Sequence, residues 1–173
     1  MIYETSKHPE HASHAALYII AKTGIRFAEC LGLTVDDIDY ETGMLSVNKT
    51  WDYKNNTGFM PTKTKSSIRE IPIDDDFLSF IKKLPKHEDG RLLPNLSNTA
   101  ANKTLRKIVG CEVRVHSLRH TYASYLIAHD IDSISVSQVL GHENLNITLE
   151  VYAHQLQEQK SRNDEKIKQM WTE

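Results

Sequence analysis

The sequence has little of what would indicate secretion, a membrane or a metal site. Its two cysteines, Cys30 and Cys111, are too few for a disulfide framework and lack the paired spacing of zinc ligands. No apolar run approaches the roughly 18 to 20 residues that span a bilayer, and no basic segment followed by an apolar one opens the chain. We therefore expect a cytoplasmic protein that makes no membrane contact.

Glycine and proline are also scarce, with 7 and 5 among 173 residues, and no segment is repeated or of low complexity. Hydrophobic residues make up 39% and charged residues 25% of the chain, as in ordinary globular proteins. A chain of this length buries roughly two-thirds of its unfolded surface. These values predict one compact domain that folds without disulfides.

The chain lacks an excess of positive charge, since its net charge is -2 and its pI is near 6.5. Overall charge therefore does not indicate a nucleic-acid partner. Cations are nevertheless clustered in two segments, although the simplest interpretation of each cluster is a solvated face. The first cluster holds Lys49, Lys54, Lys63, Lys65 and Arg69, and the second holds Lys103, Arg106, Lys107 and Arg114.

Hydrophobic periodicity predicts a mainly helical domain. Helical spacing covers residues 11–22, apolar and polar residues alternate between Leu45 and Ile73, and Asp74 begins a second helical region. Glycines 24, 110 and 141 stand where helices should end. We expect an α+β fold, mainly α, with a small antiparallel sheet at one edge. The later helices are predicted at about 98–109, 116–128, 133–140 and 147–152.

Three short segments carry a specific pattern. They run from Thr23 to Leu31, from His116 to Thr121, and from Leu140 to His142 with a continuation from Thr148 to His154. Together they resemble the signature boxes of the tyrosine recombinase family, in that family's order and spacing. The resemblance covers nearly the whole chain.

This resemblance implies the catalytic domain of a phage or transposon integrase. Such a domain performs site-specific recombination by cutting and rejoining double-stranded DNA through a 3′-phosphotyrosyl bond, with no metal, cofactor or ATP. It also implies self-association into a dimer or tetramer on DNA. Family members carry arm-binding and core-binding domains before the catalytic domain, so the chain is expected to be an excised fragment of a bacterial or phage-encoded protein.

Two arginines fit the demands of phosphodiester chemistry. Guanidinium groups bind non-bridging phosphate oxygens and stabilise the charge of the transition state, which suits Arg26 and Arg119. Arg26 and Glu29 are spaced i,i+3, which is also typical of an ordinary helical ion pair. The resemblance implies that Arg26 and Arg119 are catalytic and that Glu29 orients Arg26.

The histidines admit two interpretations. His116 and Arg119 share a helix face, so both can point at one phosphate, yet a histidine near a helix start is commonly a packing residue. His142, after Gly141, would by itself be a turn histidine. The resemblance implies that His116 and His142 are catalytic and that His120 supports them.

Tyr152 is the nucleophile that the resemblance implies. A phenol has a pKa of about 10, so it attacks phosphorus only when a base accepts its proton or nearby cations stabilise the phenolate. Tyr122 and Tyr125 stand at core spacing in the predicted helix 116–128, and with Leu118 and Leu126 they are expected to face inward.

The general acid and the DNA contacts are less closely defined. In this family a lysine on the turn of a β-hairpin protonates the leaving 5′ oxygen, and the segment from Pro61 to Pro72 resembles that hairpin. Lys63 fits the pattern better than Lys65, but both stay open. Expected DNA-binding residues are Lys65, Arg69, Lys103 and Arg106.

Three other functions compete with this interpretation. His116 and His120 have the i,i+4 spacing of zinc ligands in metalloproteases, but Ser117 stands where that motif needs its glutamate. A type IB topoisomerase shares the chemistry and differs in relaxing supercoils. A DNA-binding module without activity is the third alternative.

The predicted boundaries are residues 1–154 for the catalytic domain and 155–173 for a C-terminal tail. Ile167, Met170 and Trp171 would be unusual to leave in water, so we expect the tail to dock in cis or on a neighbouring protomer. Deleting residues 155–173 should then weaken assembly on DNA and cleavage, measured by gel shift and adduct formation. Unchanged assembly and cleavage would leave a frayed end as the better interpretation.

Overall fold

The computed structural model describes residues 1–85, 87–146, 148, 149 and 153, with only the backbone of Lys65. Tyr152 and the tail, residues 155–173, lie outside the described residues. The helices are α1 (Ile2–Ser6), α2 (Ala12–Thr23), α3 (Phe27–Leu31), α4 (Asp75–Ile81), α5 (Asn98–Val109), α6 (Val115–Ala128) and α7 (Ser133–Leu140). The strands are β1 (Ile38–Asp39), β2 (Met44–Val47), β3 (Lys49–Trp51), β4 (Phe59–Pro61) and β5 (Arg69–Pro72).

Helix α2 forms the centre of the core. Every residue from Ala15 to Ile20 is buried, because α1, α3, α5 and α6 pack around this helix. A helical segment that is buried on all sides, as this one is, must be enclosed by other elements. Gly24 and Arg26, which follow the end of α2, are therefore attached to the centre of the core.

Helix ends follow the local sequence. Asp74, Ser97 and Asp132 accept backbone N–H groups with their side chains at the starts of α4, α5 and α7. Gly24 and Gly141 end α2 and α7 in the left-handed conformation, with φ of 66° and 64°. The predictions of these helix boundaries are confirmed.

The sheet is antiparallel but divided into two parts. One part has the order β1-β2-β5 and the other pairs β3 with β4. Val47 of β2 pairs with Arg69 of β5, and Lys49 of β3 pairs with Pro61 of β4. Residues 62–68 therefore form an insertion between β4 and β5, opposite the single residue Asn48. Lys63 was expected on the turn of a hairpin, but the turn that joins β3 to β4 comprises residues 52–58. Lys63 instead lies in the insertion.

The inward face of α6 differs from the prediction. Tyr125 was expected to face inward and is 59% exposed, whereas the buried positions are Val115, Leu118, Arg119, Ala123 and Ile127. The face of α6 that packs against the core includes Arg119 and Ala123. The spacing of large apolar residues alone therefore predicts a face that is rotated away from the observed one. Tyr122 and Leu126 lie partly buried beside the observed face.

The fold is α+β and mainly helical, as predicted. A short strand that sequence patterning missed, β1, adds to the edge of the sheet at Ile38–Asp39. In the part of the chain that the structure describes, none of the helices combines the length and hydropathy needed to cross a bilayer.

Candidate functional site

A cavity of about 260 Å³ collects three of the predicted catalytic residues. Arg26, His116 and Arg119 line it, together with Ile25 and Tyr53. A larger and more apolar groove of about 420 Å³ runs beside α2 and α6 and includes none of the three predicted residues. The smaller cavity is therefore the candidate site, because the side chains that can bind and react with a phosphate line it.

Arg26 is held at the mouth of this cavity by its position before α3. Its backbone N–H and its Nη1 donate to the two carboxylate oxygens of Glu29, each at 2.8 Å, and its Nη2 donates to the carbonyl of Gly141 at 3.0 Å. The side chain remains 38% exposed. Glu29 thus fixes the direction of Arg26 while part of the guanidinium still faces outward.

Arg119 enters the site from α6 and is only 4% exposed. Its Nη1 donates to the carbonyl of Gly24 at 2.9 Å, and its Nη2 donates to the carbonyl of Leu140. Burial, and then the charge of Arg26, lower the pKa of Arg119 to about 9. The group is still protonated at neutral pH, so a full positive charge is kept inside the protein.

Arg69 completes a set of three arginines around the end of α7. Its Nε donates to the carbonyl of Val139 at 2.6 Å, and its Nη2 donates to Glu29 at 2.9 Å. Successive carbonyls at Val139, Leu140 and Gly141 therefore accept from three different arginines. These carbonyls carry the negative end of the helix dipole, which favours cations there.

Glu29 is the carboxylate shared by two of these arginines. Burial acts to raise its pKa, but hydrogen bonding and charge from Arg69, with the N–H and charge of Arg26, outweigh burial and lower the pKa below its ordinary value. Among the described residues, Glu29 bonds two of the three arginines, so its single negative charge balances only part of the positive charge of Arg26, Arg69 and Arg119. The cluster therefore retains a positive potential toward the cavity.

His142 is oriented by a residue that sequence reasoning did not identify. Its Nδ1 is 2.8 Å from Oγ1 of Thr148, which is fully buried. Burial, followed by the charges of Arg119 and Arg26, lowers the pKa of His142 to about 4. The ring is neutral at pH 7, and the bond at Nδ1 leaves Nε2 as the nitrogen that can face a ligand.

His116 and His120 form an edge-to-face pair on α6, with ring centroids 5.0 Å apart. Burial, then His120 and Arg119, lower the pKa of His116. Within the described part of the chain, no third histidine, cysteine or carboxylate joins this pair in metal-binding geometry. The pair therefore does not support the zinc hydrolase alternative.

Two glycines permit the close packing that this site requires. A Cβ on Gly24 would lie 2.4 Å from Cδ1 of Tyr122, and a Cβ on Gly141 would lie 2.9 Å from the carbonyl of Ser66. The insertion that contains Ser66 therefore packs against the end of α7. Glycine is needed at both positions for space as well as for the positive φ.

The remaining predicted residues do not line this cavity or lie outside the described residues. Lys63 is exposed in the insertion that reaches Gly141, whereas the Lys65 side chain and Tyr152 lie outside the described residues. Lys103 and Arg106 are exposed on α5, and Arg106 pairs with Glu112 at 3.3 Å.

Arg69 was expected to bind DNA, and its placement argues against that role. Its side chain is only 5% exposed and its nitrogens bond Glu29, Val139 and Ser67. The pairing of Arg69 with Glu29 has no local sequence signal, because the two residues are 40 positions apart. The bond between His142 and Thr148 has none either, because a threonine six positions after a histidine is not a recognisable motif.

Comparison with known proteins gives a family match. A sequence profile described as the phage integrase family matches residues 1–159. The chain is 34% identical to a XerC-like tyrosine recombinase of Caldanaerobacter subterraneus subsp. tengcongensis over 84% of its length, and 26% identical to an integrase of Staphylococcus phage L54a over 90%. It covers 46% and 51% of these relatives, so it spans about half their length.

Solved structures show the same fold. XerH site-specific recombinase, in a post-cleavage complex with a palindromic difH substrate, matches 99% of this chain and 51% of its own with a TM-score of 0.67 at 22% identity. The Tn1549 transposon integrase in complex with circular intermediate DNA matches 90% of this chain and 58% of its own with a TM-score of 0.66 at 22% identity. The mainly helical architecture with its small sheet is thus the architecture of these recombinases.

The contact between Arg69 and Glu29 should be essential for stability. Arg69→Met leaves a buried carboxylate with one partner fewer, so we expect the free energy of unfolding to fall by about 3 to 5 kcal/mol in urea denaturation at pH 7. The matched control is Arg106→Met, which breaks the exposed pair with Glu112 and should cost at most about 1 kcal/mol.

The acid dependence gives an independent measure of the same contact. Because the folded pKa of Glu29 is depressed, its stabilisation is present above the ordinary value of 4.5 and is lost as pH falls through the folded pKa. In Arg69→Met this acid-dependent part should shrink. Equal losses in the two variants, or an unchanged acid limb, would contradict this account of Glu29.

Proposed function

The chain belongs to the phage integrase family of tyrosine recombinases, and from this membership we propose that it is the catalytic domain of an integrase acting on double-stranded DNA. The observation that carries the proposal is the cationic cavity at Arg26, His116 and Arg119. A scissile phosphate placed there meets two guanidinium groups whose positions are fixed by protein carbonyls and by Glu29. Preorganised charges of this kind stabilise a phosphorane-like transition state without reorganisation.

The two arginines have complementary properties for this task. Arg119 is buried and its Nη atoms are bonded to the carbonyls of Gly24 and Leu140, so it supplies a fixed positive charge at the base of the site. Arg26 is partly exposed and meets the substrate first. Because guanidinium groups are protonated at neutral pH, the site needs no proton transfer before DNA binds.

His116 and His142 are proposed to hydrogen-bond the same phosphate. With a pKa of about 4, His142 is neutral in the DNA-free protein, and in the tautomer whose Nδ1 accepts from Thr148 its Nε2–H donates to the phosphate. A bound phosphate brings negative charge close to the ring and should raise this pKa. Either ring can then pass a proton to or from the reacting oxygens.

Tyr152 is the proposed nucleophile. It follows Thr148, the partner of His142, by four positions in the sequence. Its phenolic oxygen forms a bond to phosphorus as the bond to the 5′ oxygen breaks, which leaves a 3′-phosphotyrosyl linkage and a 5′ hydroxyl. Attack on this linkage by a 5′ hydroxyl of a second strand releases Tyr152 and restores the phosphodiester, so no ATP is consumed.

Lys63 is the proposed general acid for the leaving 5′ oxygen, with Lys65 as the alternative. Support comes from the position of the insertion, whose Ser66 carbonyl abuts Gly141 beside the arginine cluster. A loop anchored at the site and exposed at Lys63 can reach the strand that leaves. Proton donation at this oxygen avoids expulsion of an unstable alkoxide.

Recombination also implies further partners. We propose that the domain works as a dimer or tetramer on DNA, aided by DNA-binding regions of a longer protein and by docking of residues 155–173. Exposed Lys103 and Arg106 are candidates for phosphate contacts away from the cavity. By itself the domain should bind DNA weakly, with an affinity that falls steeply as salt increases.

Covalent capture on a nicked DNA substrate tests the proposed nucleophile. We expect an SDS-resistant protein–DNA adduct that forms in the presence of EDTA and is absent in Tyr152→Phe. The matched control is Tyr125→Phe, an exposed tyrosine on α6, which should form the adduct at the parental rate. An adduct that persists in Tyr152→Phe would assign the nucleophile elsewhere, and DNA binding without any adduct would favour an inactive DNA-binding module.

A sulfur substitution identifies the general acid. A thiolate leaves without protonation, so a substrate with sulfur at the bridging 5′ position should restore cleavage to a variant that lacks only the acid. We expect Lys63→Ala to cleave ordinary DNA at least about 100-fold more slowly and to recover on the sulfur substrate. Arg119→Ala should not recover, because it lacks charge stabilisation. Recovery in Lys65→Ala instead would move the role to that residue.

A further inference from the structure

A second group of side chains, outside the catalytic cavity, has the geometry of metal ligands. Nδ1 of His8 and Nε2 of His11 lie 3.2 Å and 3.6 Å from the same Oε1 of Glu10. The three donor atoms all lie within 4.8 Å of one another. Ligand atoms bound to zinc at about 2.0 to 2.2 Å in a tetrahedron are roughly 3.3 Å apart, so little movement separates this cluster from a coordinating arrangement.

A third imidazole, that of His14, stands beside the cluster, although neither of its nitrogens belongs to the group of donor atoms that lie within 4.8 Å of one another. Its ring centroid lies 5.3 Å from that of His8 and 5.6 Å from that of His11, and those two rings are also 5.6 Å apart. Three imidazoles around one tetrahedral metal ion have centroids about 5 Å apart. Nδ1 of His14 is buried and has no hydrogen-bond partner among the described atoms, an arrangement that costs free energy unless a ligand compensates.

The backbone holds these donors in place. His11 is the residue before α2, its N–H donates to the carbonyl of His8 at 3.1 Å, and its own carbonyl accepts from Ala15 at 3.0 Å. His11 and His14 are spaced i,i+3 across the first turn of α2, so they share a face. The turn that contains Pro9 brings His8 and Glu10 over that face.

The charges around the cluster are compatible with a cation. Glu10 supplies a negative charge, and the nearby Lys7 is paired with Glu4 at 2.8 Å. Lys107 is the positive charge that acts on His14 from α5, and it lowers the pKa of His14 as His8 and His11 do.

We propose that His8, Glu10 and His11 bind a divalent transition metal of the zinc class and that a rotation of the His14 side chain brings its imidazole in as the fourth ligand. Imidazole and carboxylate ligands suit Zn²⁺, Co²⁺ and Ni²⁺, and the donors here come from one short segment. The site lies at the start of α2 and Arg26 follows its end, about 18 Å away at 1.5 Å per residue. The metal would therefore tie the segment between α1 and α2 to the first turn of α2 and take no part in the chemistry on DNA.

The test uses the whole chain without a purification tag, stripped with EDTA and titrated with Zn²⁺ by calorimetry and with Co²⁺ by visible absorption. We expect one equivalent of metal, an intense tetrahedral Co²⁺ spectrum and a higher Tm with Zn²⁺. His11→Ala and Glu10→Gln should each weaken binding at least about tenfold, and His14→Ala should reduce the Co²⁺ absorption. His129→Ala, at the exposed end of α6, is the matched control and should bind as the parent does.

Several outcomes would overturn the metal site. They are the absence of binding at 100 µM Zn²⁺ (about −5.5 kcal/mol for a Kd of that size), binding that survives the double variant His8→Ala/His11→Ala, and binding that disappears only in His116→Ala. These side chains are exposed or half-buried, so circular dichroism should show that the variants remain folded. DNA cleavage is not the readout, so either result leaves the proposed recombinase function untouched.

Discussion

Three successive carbonyls at the end of α7, those of Val139, Leu140 and Gly141, accept hydrogen bonds from Arg69, Arg119 and Arg26. The last carbonyls of a helix have no partner within the helix and carry a partial negative charge. Here they hold three guanidinium groups that would otherwise repel one another. This constraint organises the site, because the arginines come from β5, from α6 and from the segment before α3.

One buried carboxylate stabilises that arrangement but neutralises only part of its positive charge. Glu29 bonds Arg26 and Arg69, and the Nη atoms of Arg119 bond backbone carbonyls. Neutral carbonyls orient a guanidinium without cancelling its charge. The structure thus places positive charge in a site with limited access to water, where it attracts a phosphate more strongly than the same charge on an open surface would.

The same physical logic separates the two histidine groups of the domain. His116 and His142 lie beside arginines, and burial and charge keep His142 neutral until an anion arrives. His8, His11 and His14 gather around a carboxylate instead, where a cation is favoured. Identical side chains thus suit a phosphate at one end of α2 and a metal at the other, because their neighbours differ in charge.

Local sequence determined the helix boundaries, since capping side chains at Asp74 and Asp132 and glycines such as Gly141 act within one helical turn. It also singled out Arg26, His116 and Arg119, which stand in short segments with a distinctive spelling. Periodicity was less reliable at α6, where Tyr125 faces outward and Arg119 faces the core. What only the tertiary structure decided is how distant segments meet. Arg69 bonds Glu29 rather than facing solvent, Lys63 lies in an insertion rather than on a hairpin turn, and three arginines converge on one helix end. These relations depend on packing between residues up to 115 positions apart, and no local pattern encodes such contacts.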